Sequence, residues 1–588
     1  MVRLAVILQR DSPGVREERL GRVLTFFGVP WMSRSLADPV GDPTPAPGHR
    51  EYAILGSSDT LAAALLMPAS QRLLQDAAAV YAYGVEDRAP LLRILSMLTN
   101  RQWKSLPESG DRVPVRVTEA LPELTGPMSG IEFEGRPTAQ RDAFVPSRLA
   151  ADAASDHEGA AVDDFVTIVS VGGAPSFVQL RHVGVPVYLC ASEAMVDLDE
   201  PVRQPYYDVK DDYLSVVPLT MFITSTFREV IWRPHETGAC LIIDDPLLKT
   251  RYGFCDFLRW RDRMREHRFT TCIAFIPWNW RRTTRRASEF FKSESDWFSV
   301  SIHGCDHTAA EFGSSSVDLI DHRAHLAQTR MHKHQARTGI RHDPVMVFPH
   351  GVFSSVCPAI LKVNGFVAGV NTEISPVDAD QPTTRIRDVW DLAILRYGSF
   401  AIYTRRYPYH GLENFAFDLL LGKPCFIVAH HESLRHGGAS LLTLIDRLQA
   451  LNCTLQWQSP GHIVRRAYRR RRVDGLEQVE MYANEIRIIN AEDRDLRVHI
   501  RKRETVPGAV IQCLANGVSV PWTRETDSVV CEGEIRPGTE WLFKVVYSTG
   551  AARHRDGDPL RYKLSVAARR MLSEVRDELQ PRLRFGYA

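Results

Sequence analysis

Two apolar runs in the middle of this chain end abruptly in chemistry. Ala239-Cys240-Leu241-Ile242-Ile243 stops at Asp244-Asp245, and residues 297–302 stop at His303-Gly304-Cys305-Asp306-His307. Short runs of this kind, set among turn and helix signals, read as buried strands. Carboxylates and imidazoles just past the C-terminal ends of successive strands are how an α/β barrel assembles a metal site. The surrounding stretch keeps the same rhythm. Phe254, Phe257, Leu258 and Met264 fall on one helical face, residues 269–277 read as a strand, and 316–337 as a long polar helix. Further strands are expected at 344–348, 366–370, 400–403, 424–429 and 454–458. Seven or eight parallel strands of this sort close as a (β/α) barrel.

The flanks read differently. Strand and helix alternate through the first hundred residues, which implies a Rossmann/flavodoxin-like α/β domain with a parallel sheet over 1–200. No glycine-rich phosphate loop accompanies it, so a scaffold or docking role is the plain reading. A disordered-looking insert is expected near 103–163, where Pro, Gly, Ala and acidic residues accumulate. A hairpin follows at 176–190. The barrel is expected over 215–464. Beyond it, alternating apolar and polar residues separated by Asn, Gly and Pro turns imply a small β-sandwich over 474–550. Residues 560–588 read as a helical tail with Val566, Met571, Leu572 and Val575 as apolar positions.

At 588 residues the chain is too long for one core. A formal net charge of +1 gives no electrostatic reason for a nucleic acid or an anionic membrane as the main partner. The local basic run from Arg465-Arg466 to Arg469-Arg470-Arg471-Arg472 reads as a solvated linker or helix end. The N-terminal apolar stretch is a first strand rather than a signal peptide, and no transmembrane segment is expected. Ten scattered cysteines without a CxxC favour a reducing, cytoplasmic setting.

Alone, an Asp-Asp pair is commonly a helix cap and an HxxxH commonly a solvated helix face; their joint placement after strands is what points to a shared site. The order Asp-Asp, His-x-x-x-His, a Pro-x-Gly turn and a late apolar run ending in His resembles the NodB-homology polysaccharide deacetylases, a carbohydrate esterase type. Ile242-Ile243-Asp244-Asp245-Pro246 stands at that family's T-F-D-D-G, Val347-Phe348-Pro349-His350-Gly351 at its R-x-P-[YF]-G, and Ile427-Val428-Ala429-His430 at its Leu-x-x-His. The resemblance spans residues 235–460. It implies hydrolysis of an N-acetyl group from an amino sugar, so the expected partner is an N-acetylated oligo- or polysaccharide. It implies Asp244 as base, and Asp245, His303 and His307 as ligands of one divalent ion, zinc foremost. A backbone N–H at His350 would hold the oxyanion, and His430 or His431 would protonate the leaving nitrogen.

This chain departs from the family at several points. Gly304 replaces Ser or Thr, and Pro246 replaces Gly. Val347 replaces the Arg that pairs with the catalytic Asp, so another group must set the pKa of Asp244. Asp388 and Asp391, around Trp390, are candidates for a D-x-x-D-W motif. Trp278, Trp280, Phe353 and Tyr409 are candidates for sugar stacking. Two rival readings follow: a glycoside hydrolase using Asp244 with Glu432, and a carbohydrate-binding pseudoenzyme that lost catalysis with its arginine.

Overall fold

Strands buried on both faces need helices above and below, and the first two hundred residues supply them. Trp31–Ser35, Leu4–Gln9, Tyr52–Ser57, Ala79–Tyr83 and Val185–Cys190 lie side by side and parallel, in the 2-1-3-4-5 order of flavodoxin-type sheets. The sheet does not stop there, as a purely parallel domain would. Ala174–His182, Phe165–Val171, Val113–Val117 and Glu132–Gly135 extend it antiparallel to nine strands. The computed structural model describes residues 2–36, 50–84, 89–99, 102–105, 113–135, 144–146, 165–308, 310–380, 383–506, 508–548 and 558–584. The insert expected near 103–163 therefore holds four strands, Val113–Val117 and Glu132–Gly135 in this sheet and Trp103–Ser105 with Phe144–Pro146 as a separate antiparallel pair, while 106–112, 136–143 and 147–164 lie outside the described residues.

Two compact units emerge: 1–200 with 208–232 and 451–453, and 201–207 with 233–450 and 454–588. The helix Tyr213–Thr226 is buried along most of its length and belongs to the first unit.

The second unit is built around a barrel. Its strands are β1 (Gly238–Asp244), β2 (Thr271–Phe275), β3 (Phe298–His303), β4 (Asp343–Val347), β5 (Ala368–Asn371), β6 (Ile402–Arg406), β7 (Cys425–His430) and β8 (Gln456–Trp457). The first seven close in sequence order, all parallel, with β1 pairing both β2 and β7. The two-residue β8 joins only the base of β1, opposite Gly238 and Ala239. Cys240 and Ile242 of β1 share a core cluster with Cys272 and Ala274, Val345 and Val347, Val370, Tyr403 and Phe426. Strand side chains alternate, and further along several strands the position of the same parity at the C-terminal end is polar: Asp244, Arg405 and, beyond Val428, His430. His303 ends β3 in the same way. The barrel core thus ends in a chemical layer at its C-terminal face. Helix α1 (Val317–Thr338) follows β3, capped by the Ser316 hydroxyl accepting from the Leu319 N–H and ended by Gly339 at φ 72°.

The sandwich packs a six-stranded sheet against a four-stranded one around Val479, Ile486, Val498, Ile500, Cys531, Phe543 and Val545. One pair, Leu476–Met481 with Leu496–Arg503, runs parallel, so the sandwich is not purely antiparallel. The basic run is not a linker. Arg465 and Arg466 end a helix, but Arg469–Val473 is a strand of this sandwich. Arg469 is buried, 3.0 Å from Asp391, and burial of the charge is compensated by that carboxylate. The tail is helix α2 (Leu560–Arg584), with Val566 buried but Met571, Leu572 and Val575 exposed.

Candidate active site

Asp244 and Arg405 face each other across the barrel mouth, both nearly inaccessible to solvent. Arg405 Nη1 and Nη2 donate to the two carboxylate oxygens at 2.7 and 2.8 Å, a bidentate pair. Burial alone would raise the Asp244 carboxyl, but the Arg405 cation, with His303 and His430 nearby, holds it below its usual value. A guanidinium thus stands against Asp244 although position 347 is Val. It comes from β6 instead of β4.

Asp245, the next residue, sits in the left-handed region at φ 81°. Asp245 Oδ1 lies 3.4 Å from His303 Nε2 and 3.0 Å from His307 Nε2, and the ligand atoms of this triad all fall within 4.8 Å of one another. His303 Nδ1 donates to the Val347 carbonyl at 2.9 Å, which leaves Nε2 of the neutral ring as a lone pair. Asp245 Oδ1 is buried without a hydrogen-bond donor. Lone pairs converging on a buried carboxylate oxygen repel unless a cation lies between them. One carboxylate and two imidazoles with an open side is a donor set that suits a divalent metal.

The loop carrying His307 is clamped from one carboxylate. Buried Glu311 accepts the N–H groups of Cys305, Asp306 and His307 at 2.8, 3.0 and 3.1 Å. Gly304 is required here: at φ 63°, a Cβ would stand 2.0 Å from Glu311 Oε1 and 2.4 Å from Pro349 Cγ. Asp306 is tied down by Arg323 at 2.8 Å, by Arg330, and by the Tyr562 hydroxyl of α2 at 2.9 Å. His307 itself has φ 56°. Non-glycine residues in this region each carry about 1 kcal/mol of strain, and such outliers cluster at functional sites.

His350 is another, at φ 56°, with its ring 4.9 Å from that of His307. Asn371 secures this turn by donating to the Gly351 and Glu373 carbonyls at 2.8 and 2.9 Å.

The two late histidines separate. His430 is exposed and lies in register with Asp244 across the β1–β7 pair. His431 is buried, with Nε2 3.4 Å from Asp577 Oδ1 on α2, and Tyr252 donates to Asp577 Oδ2 at 2.7 Å. Tyr407 lies 6.2 Å from the His430 ring and stacks on Tyr409 at 5.0 Å; Tyr409 is open to solvent.

Several other sequence candidates are occupied elsewhere. The Trp278 ring is covered by Arg330, and the Trp280 ring by Arg281 and Lys333, with α1 behind them. Phe353 is fully buried core. Asp388 pairs with Arg396 and Asp391 with Arg469, so both serve structure. Glu432 is exposed on the turn that follows β7. Reading the chain by motif missed Arg405, Glu311, Tyr407 and Asp577. Arg405 had a local signal, being two positions beyond buried Tyr403 on one strand.

No protein-family model matches the chain, and comparison with curated proteins yields no match. Among solved structures it is similar to Agd3, described as a novel carbohydrate deacetylase, at 9% identity over 92% of this chain and 98% of that one, with a TM-score of 0.49. A putative polysaccharide deacetylase from Mycobacterium smegmatis aligns over 39% of this chain and 90% of its own at 15% identity, with a TM-score of 0.27. A family 4 carbohydrate esterase from Streptomyces lividans aligns over 36% and 85% at 12% identity, with a TM-score of 0.21. What this site can do is read from its own residues.

Proposed function

We propose that the protein is a metal-dependent deacetylase that hydrolyses the N-acetyl group of an amino sugar within a polysaccharide or its precursor. The observation that carries this reading is the convergence of Asp245 Oδ1 with two imidazole Nε2 atoms beside a charged Asp244–Arg405 pair. When bound, a divalent ion, zinc foremost, supplies Lewis-acid polarisation of the acetyl carbonyl and a water nucleophile at neutral pH. Asp244 is the base. Its oxygens each accept one Arg405 hydrogen bond and keep a second lone pair for the proton of the attacking water. A backbone N–H at His350 donates to the developing oxyanion. His430, exposed and in register with Asp244, gives a proton to the leaving nitrogen as the C–N bond breaks and acetate departs. Tyr409, stacked on Tyr407, presents an open aromatic face to a sugar ring. The pseudoenzyme reading rested on a missing arginine, and Arg405 removes that ground.

The test is metal content and acetate release from N-acetylated glycans, for wild type beside His303→Ala/His307→Ala and His430→Asn. Expected are about one equivalent of divalent metal in the wild type and none in the double variant. His430→Asn should keep its metal and lose roughly a hundredfold or more in kcat. A wild type that takes up no metal, or a double variant that hydrolyses undiminished, ends the proposal.

A further inference from the structure

Helix α2 is amphipathic in the reverse of the usual sense. Its carboxylates face the protein: Glu574 and Glu578 bind Lys249 at 2.7 and 2.6 Å, and Asp577 binds Tyr252 and His431. Val566, Arg570 and Asp577 are buried on that same side. The opposite side carries Leu560, Leu564, Met571, Leu572, Val575 and Leu579, which are 42–73% exposed. With Ala567 and Ala568 they recur at spacings of three and four, so they form one stripe over roughly a third of the helix circumference, interrupted by Arg561 in the first turn and by Glu578, which reaches to Lys249, in the last described one. An apolar stripe of this length left in water marks a surface that something covers.

Charge selects the occupant. Arg561, Lys563, Arg569 and Arg576 are exposed on this helix, Arg561 within the stripe and Arg569 and Arg576 along one border of it. Its three described carboxylates are all engaged by the protein face. Two copies of such a helix laid together would set arginine against arginine. An anionic phospholipid bilayer satisfies both components, taking the apolar side chains at the acyl boundary and the cations at the headgroups. No described helix is long and apolar enough to cross a membrane, so the helix would lie in the interface. We infer that α2 is an interfacial helix that docks this protein on an anionic membrane surface. Because its inner face binds residues that follow β1, β3 and β7, the docked side is the catalytic end of the barrel.

The test uses the full chain and needs no substrate. Wild type should sediment with vesicles of equimolar phosphatidylglycerol and phosphatidylcholine, release with salt, and stay in solution with phosphatidylcholine alone. Met571→Gln/Leu572→Gln/Val575→Gln, all outward positions, should cut vesicle partitioning at least about tenfold. Independently of any variant, wild-type amides of residues 560–579 should gain hydrogen-exchange protection when anionic vesicles are added. Absence of sedimentation, partitioning indifferent to the triple variant, or a self-association that the triple variant abolishes while vesicles do not bind would each overturn the inference.

Discussion

Arg405→Gln is the sharpest perturbation of this site. The side chains of Arg405 and Asp244 are 2% and 3% exposed, and both hydrogen bonds of the pair are lost together. Removing one partner of a buried ion pair leaves an uncompensated charge, at a cost of about 3–5 kcal/mol. The sign with pH follows. In the wild type the carboxyl is held below its unfolded value, so its contribution is present above the unfolded pKa and fades as pH falls through the folded one. Without the guanidinium, burial dominates and the folded value moves above the unfolded one. Protonation then relieves the variant, so its deficit should be largest at neutral pH and shrink toward roughly pH 5. Because the chain has two compact units, hydrogen exchange of the β1 amides under native conditions is the assay that isolates the barrel. Asp244→Asn/Arg405→Gln should be less destabilised than the sum of the single variants, by more than about 1 kcal/mol. In activity, the acid limb of kcat/KM should move to higher pH in Arg405→Gln. A deficit under about 1 kcal/mol that is the same at both pH values would refute the reasoning, because an exposed pair behaves that way.

Two further outcomes are expected. Gly304→Ala should destabilise the barrel by about 1 kcal/mol or more, since a Cβ at φ 63° collides with Glu311, and should weaken metal binding roughly tenfold by loosening the His307 loop; an unchanged affinity in competition with a chromogenic chelator would count against the clamp. Lys502, donating to the Ser399 and Tyr482 carbonyls, is pushed down to about 7 by burial and then by Lys362, against 10.5 when unfolded. The unfolded state therefore binds the extra proton over that interval and stability rises with pH across it; Lys502→Met should flatten the rise in urea midpoints taken between those limits.

The barrel was legible because its strands are buried on both sides, and continuous apolar runs such as Ala239–Ile243 mark their own ends. The candidate residues Asp244, Asp245 and His303 were legible because they end those runs directly. Asp577 was not, since nothing near it in the chain indicates that α2 returns to Tyr252 and His431. Arg469–Val473 was misread because four arginines in succession carry no polar–apolar alternation, even though the strand buries Arg469 and exposes Arg470. The α2 pattern gave a helix correctly but could not give its orientation. Apolar spacing reports which side chains share a face, and only the partners of Glu574, Asp577 and Glu578 decide that the other face turns inward.

Arg405 is the more instructive omission. Val347 holds an inward position near the top of β4, where its carbonyl fixes the tautomer of His303. Around the closed ring, β6 stands two strands from β1 through β7, while β4 stands three away. An arginine at the top inward position of β6 therefore reaches Asp244 at least as readily as one on β4. What the chemistry requires is a guanidinium against the buried carboxylate at the C-terminal rim; which strand carries it is free to vary. Motif order tracks the strand, whereas side-chain parity tracks the rim. By parity, Tyr403 in the core assigns Arg405 to the same face and one layer higher, beside Asp244 and His430. A charged residue placed one alternation beyond the last buried core position of a barrel strand is thus a site candidate in its own right, whatever motif surrounds it.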